Sequence, residues 1–128
     1  MPKNLSHLRS QAASIQSFRC YYCRLPIWAG DPARFIQQFG LTERQAKFFQ
    51  CTAEHLKAQC EGGKDTKANV AAACWHCNQT RHRTTKPLEP AEFQRRAQRC
   101  VGKGGWFPSG LAAKMSQRSA RWGQSGDR

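Results

Sequence analysis

Two Cys-x-x-Cys pairs, Cys20 and Cys23 in CYYC and Cys74 and Cys77 in CWHC, constrain this chain more than any other feature. A short turn between paired cysteines aims two thiolates at one point, and two such turns complete the tetrahedral shell that zinc prefers. The pairs are separated by 50 residues, so the segment between them must be a structural unit whose ends return to the same place. The competing use of such pairs is redox chemistry, which needs one exposed pair with lowered pKa. The odd count of seven cysteines favours metal over a disulfide framework and suits a reducing compartment. Cys51, Cys60 and Cys100 match no partner motif and read as free or buried thiols. His76, inside the second knuckle, reads as a supporting or exposed group and not as a ligand.

Composition sharpens this picture in two ways. Only 39% of the residues are apolar, so a single domain of 14.5 kDa has a thin core, and a bound metal is one way to reinforce it. Lys and Arg number 21 against 8 acidic residues, a formal charge of +13. Such an excess attracts a polyanion, and nucleic acid fits it better than a membrane surface. The excess runs through all parts of the chain, which indicates a broad binding surface more than a basic tail. No apolar run is long enough to cross a bilayer, and no signal-peptide core is present. The expected compartment is the cytoplasm, at the nucleoid.

The expected organisation is a flexible N-terminal leader over 1–16, a central domain over 17–101, and a basic, partly flexible C-terminal tail over 102–128. Phe18 to Cys23 reads as a short strand turning into a knuckle. Asp31-Pro32 opens a helix that Gly40 stops, and Thr42-x-x-Gln45 is a capping box for a second one. Residues 47–56 hold a strand ending near His55, residues 57–67 a charged loop with Gly62-Gly63, and residues 69–74 the second strand of a hairpin. A helix is expected from Cys77 to Thr84 and another from Pro90 to Gly102. GKGGWFPSG (102–110) reads as a hinge whose Trp106 closes a small core. A weak helix follows over 111–122, with GQSGDR (123–128) as a frayed end.

Between and just after the knuckles stand Glu54-His55, Gly62-Gly63, Asn69, and the run CWHCNQTRHR containing Asn78, Arg81 and His82. On a helix Asn78 and His82 share a face, an oxygen donor and an imidazole one turn apart. A hairpin pinned by the same zinc can bring Glu54 and His55 against that face. Neighbouring strand residues point to opposite sides, so Glu54 and His55 cannot do the same job in a regular strand.

This order of residues resembles the HNH endonuclease family, over about 18–86. The resemblance implies an α+β fold, a small ββα-metal core stapled by the two-knuckle zinc site and flanked by helices. It implies an enzyme hydrolysing DNA phosphodiester bonds with one divalent metal, leaving a 5′-phosphate and a 3′-hydroxyl. His55 would be the general base, suited by a free pKa near 6.5. Asn69 would fix the hairpin and orient the His55 ring. Glu54, Asn78 and His82 would hold the catalytic metal, Mg or Mn in preference, with Zn or Ni as alternatives. Arg81 stands where the family often has lysine and would contact phosphate, with Arg83 beside it. Glu54 departs from the usual aspartate and carries the carboxylate outward by one methylene. The expected partner is double-stranded DNA, with a dimer on DNA as one route to double-strand cleavage, and the source is expected to be bacterial or phage.

In AEFQRRAQRC, Arg95, Arg96 and Arg99 form a basic cluster over little more than one helical turn, suited to a DNA backbone. The rival function is a zinc-stabilised module that binds nucleic acid and cuts nothing. It accounts for the cysteines and the charge but not for His55, Asn78 and His82 occurring together.

Overall fold

The computed structural model describes residues 3–119 and 122–123. Its centre is an antiparallel hairpin of β1 (Cys51–His55) and β2 (Val70–Cys74), followed without a break by helix α4 (Trp75–Arg81). The register pairs Cys51 with Cys74 and His55 with Val70. The hairpin thus opens at the second knuckle and closes at the Glu54-His55 end. This is a ββα unit, and the fold class expected from the sequence is what is found.

Three helices form before or beside the hairpin for local reasons. Helix α2 (Ala33–Phe39) starts where the Asp31 carboxylate accepts from the Ala33 amide, 3.0 Å away, and stops at Gly40, whose φ of +63° suits a residue without Cβ. Helix α3 (Glu43–Lys47) carries the full Thr42/Gln45 capping box. Helix α1 (Lys3–Ile15) corrects the expectation of a flexible leader. It packs on both strands, buries Ala13 and half-buries Leu5, Leu8 and Ala12. Gln16, just past its end, completes the attachment. Its amide donates to Ala72 O (2.8 Å) and accepts from Ala72 N (3.0 Å), which satisfies the open edge of β2 as another strand would. β2 reads VAAAC and is buried throughout; its alanines leave room for α1 to lie close.

The first knuckle is a turn with a single bridge, Arg19 to Pro26, where a strand was expected over 18–23. Its backbone is sewn to the hairpin by Tyr21 N to Ala72 O (2.9 Å), while Cys51 N donates to Trp28 O (2.8 Å). The strand expected over 47–56 is shorter, because 43–47 is helix α3.

Helix α5 (Pro90–Gly102) and helix α6 (Leu111–Arg118) complete the molecule. They correct the boundary expected at residue 101. Phe107, Leu111, Ala112, Met115 and Trp122 all belong to the core, so the stretch expected as a partly flexible tail packs on the elements before it. Trp122 stacks edge-on against Phe35 at 4.9 Å and against Phe39 at 5.8 Å, and its indole N–H donates to Ile27 O. Apart from Gly123, the frayed end expected at 123–128 lies outside the described residues, as do 120 and 121 of the last expected helix. Among the described residues no helix is long and apolar enough to cross a membrane.

Candidate metal centre and hairpin site

The four knuckle cysteines converge. Cys20, Cys23, Cys74 and Cys77 are all buried, with sulfurs within 4.8 Å of one another, and Cys23 and Cys74 are 4.0 Å apart. Tetrahedral zinc with bonds of about 2.3 Å needs sulfurs about 3.8 Å apart, so the cluster fits. Backbone amides of Tyr22 and Cys74 donate to the Cys20 sulfur, and that of Cys77 donates to Cys74, each at 3.3 Å. Burial pushes Cys23, Cys74 and Cys77 towards the neutral thiol. At Cys20 burial acts in the same sense, but hydrogen bonds from the other three cysteines outweigh it and hold the thiol well below its usual range. Four thiolates cannot share this buried space without a cation, and a structural metal such as zinc would supply the missing charge. Among the described residues this is the one group of three or more His, Cys, Asp or Glu whose ligand atoms converge.

Two residues outside the ligand set brace it. The Trp106 indole N–H donates to the Cys77 sulfur at 3.3 Å, and His76 donates Nε2–H to Trp106 O at 2.6 Å. Burial lowers the His76 pKa and keeps the ring neutral. The hinge is thereby fastened to the second knuckle.

At the far end of the hairpin Glu54 and His55 divide as strand geometry requires. Glu54 is 2% exposed and faces inward. Its Oε2 accepts from Tyr22 OH (2.7 Å) and from Arg81 Nη1 (2.9 Å), while His82 Nε2 lies 2.9 Å from Oε1 and 3.1 Å from Oε2. Burial and the negative charge of Glu54 push the Tyr22 phenol far above its ordinary range, so it stays a donor. Arg81 departs most clearly from its expected role. It is 6% exposed and donates to Glu54, to Leu88 O (3.1 Å) and weakly to His55 O and Leu56 O. Its guanidinium is engaged by Glu54 and these carbonyls, although the residue also lines the hollow that Arg83 and Arg96 border. The reason for its burial is helical spacing: Arg81 follows buried Cys77 by one turn and shares its face.

Helix α4 ends at Arg81, three residues before the expected Thr84, and His82 is its C-cap. Asn78 donates Nδ2–H to Thr52 Oγ1 (3.0 Å) and Ala53 O (3.2 Å). Thr52 gives its own proton to Ala73 O, which fixes the amide orientation and leaves Asn78 Oδ1 without a protein partner among the described residues.

The Glu54–His82 contact is a hydrogen bond here, and its length is also compatible with two ligands of one divalent cation. Oε1 faces His82 alone, and neighbouring ligands of an octahedral ion with bonds of about 2.1 Å lie about 3 Å apart. The observed separation is 2.9 Å. Asn78 Oδ1 is an available third donor, and a hard ion of this type keeps waters in its remaining positions.

His55 is half-buried, and its Nε2 lies 2.7 Å from Asp65 Oδ1. Asn69 makes no direct bond to the ring. Its Oδ1 accepts from Lys57 N (2.8 Å), and its Nδ2 donates to Lys57 O and Lys64 O, both at 3.0 Å. Asn69 clamps the loop, and the loop brings Asp65 to His55. Asp65 was not legible as a site residue, being one charge among several in a loop. Its only signal was its place between Gly63 and Asn69.

Arg83, Arg95, Arg96 and Arg99 are exposed. Arg83 and Arg96 line one shallow hollow with Thr80 and Trp106, and Arg95, Arg96 and Arg99 line the next along α5. Trp106 packs on Phe93 and serves the core, as expected.

A hairpin and helix closed by a four-cysteine knuckle define a ββα finger. Residues 43–84, from α3 through α4 and including the hairpin site, match the family model of the HNH endonuclease. Over that segment the resemblance read from the sequence is borne out, while Cys20 and Cys23 lie outside the match. No curated protein and no solved structure matches the chain significantly.

Proposed function

We propose that this protein is a metal-dependent endonuclease that hydrolyses phosphodiester bonds of double-stranded DNA. The observation that carries the reading is the juxtaposition, within the matched segment, of a Glu54–His82 pair spaced for one cation and the neighbouring His55 with an unengaged ring nitrogen. Glu54 and His82, with Asn78 Oδ1, would hold Mg or Mn, with Zn or Ni as alternatives. The cation, when bound, offsets charge developing on the phosphoryl and leaving oxygens. His55 takes a proton from water as its oxygen bonds to phosphorus. The bond to the 3′ oxygen breaks, and solvent protonates that oxygen, leaving a 5′-phosphate and a 3′-hydroxyl. Arg83, Arg95, Arg96 and Arg99 bind flanking phosphates without reading sequence. One active site cuts one strand, so double-strand cleavage calls for a dimer on DNA or a second encounter.

A second reading has an observation of its own. Glu54 is already ion-paired with Arg81 and hydrogen-bonded by Tyr22, which is also what a purely structural carboxylate would show in a non-catalytic binding module. Supercoiled plasmid incubated with Mg or Mn separates the two. Nicked or linear product from the wild type, and none from zinc-loaded, folded His55→Ala, supports the nuclease. DNA binding without cleavage by either protein across metals replaces it with the binding module.

A further inference from the structure

We infer that Asp65 is a positioning residue for His55, fixing which ring nitrogen carries the proton and leaving Nδ1 as the atom that accepts from water. The inference rests on the nuclease reading for its catalytic consequence, but its structural content stands alone. A carboxylate oxygen can only accept, so the 2.7 Å contact to Asp65 Oδ1 places the proton of neutral His55 on Nε2. Nδ1 then bears the lone pair, and it has no protein partner among the described residues. The side chains of His55 and Asp65 are 16% and 29% exposed, enough shielding to hold the pair and enough opening for water to reach the ring.

The loop is built to present this carboxylate. Asn69 ties residues 57 and 64 together through three hydrogen bonds. Gly63 donates to Ala58 O at 2.9 Å, and a Cβ on it would sit 1.8 Å from Lys57 O. Gln59 adds an amide donor to Asp65 Oδ1 at 3.3 Å. Asn69 therefore acts on His55 at one remove, by setting the loop that carries Asp65.

The test combines ring spectroscopy with kinetics on the full-length, zinc-loaded protein. Long-range proton–nitrogen NMR spectra of the imidazoles, at a pH where they are neutral, report which nitrogen of His55 is protonated, with His55→Gln assigning the signal. The wild type is expected to show Nε2–H, and Asp65→Asn a mixture of both forms. With Mg or Mn and plasmid DNA, Asp65→Asn is expected to lower kcat on the order of 100-fold, within the span of general-base effects. KM and zinc content stay unchanged, and Asp65→Glu recovers part of the rate. A wild-type Nδ1–H form, or an Asp65→Asn ring identical to the wild type, overturns the assignment. So does an unchanged kcat in Asp65→Asn. A wild type that never cuts but shows Nε2–H, shifted in Asp65→Asn, sinks the nuclease reading and leaves the Asp65–His55 pairing standing.

Discussion

Glu54 and Arg81 form an ion pair in which both side chains are almost fully buried, at 2% and 5% exposure. Removing one partner of such a pair strands the other charge, which typically costs 3–5 kcal/mol. Arg81→Ala is therefore expected to lower the unfolding free energy of the zinc-loaded protein, measured by urea titration, by an amount in that range. Arg83→Ala, at an exposed position two residues further on, is expected to leave it unchanged. Had Arg81 bound phosphate the order would be reversed, with DNA affinity falling and stability constant. A second residue-scale expectation concerns Cys51, buried at the open end of the hairpin. Burial pushes its thiol from 9.0 to about 11. The folded state thus holds this proton more tightly than the unfolded chain. The stabilisation is fully present below pH 9 and fades as pH rises through about 11. Denaturant midpoints measured below pH 9 and near pH 11 should differ less in Cys51→Ala than in the wild type.

At the scale of elements, helix α1 and the 57–69 loop decide how well the hairpin works. Gln16 bonds both backbone groups of Ala72; Ala72 O keeps the Tyr21 amide as a second donor, so losing Gln16 strands the Ala72 N–H, at a cost of roughly 1–3 kcal/mol. A protein beginning at residue 17 is expected to expose β2 and aggregate, measured as loss of the monomer peak in size-exclusion chromatography. Full solubility of that truncation would restore the flexible-leader picture. The elements also show what could be read in advance. The Thr42/Gln45 box, the Gly40 stop and the two knuckles were legible because each is a local device with a fixed spacing. Helix α1 was missed because its polar composition hid a helical face of Leu5, Leu8 and Ala12. The burial of Arg81 was missed because the family position outweighed its one-turn spacing from Cys77. Asp65 had no signal beyond its place between Gly63 and Asn69, since only the closed loop brings residue 65 against residue 55.

At the scale of the molecule, the metal and the charge set behaviour. The four-cysteine cluster joins the first knuckle to the helix that carries Asn78, and Trp106 fastens the later chain to the same cluster. A strong chelator is expected to abolish the cooperative thermal transition and change the tryptophan emission together, while retention of either would show that the core stands without metal. The net charge of +13 makes DNA affinity depend steeply on salt. Replacing Arg95, Arg96 and Arg99 by alanine should reduce the slope of log K against log salt by about 0.9 for each phosphate that is no longer neutralised. Cleavage chemistry at saturating DNA should be spared.

The placement of Trp122 on Phe35 and Phe39 also has a consequence for synthesis on the ribosome. The core that begins at Phe18 lacks its last large ring until residue 122 has emerged. At about 5–20 residues per second, this leaves roughly 5–20 s in which the aromatic cluster is incomplete. Through that interval the nascent chain shows Phe35 and Phe39 to its surroundings, and that is when it most needs a chaperone.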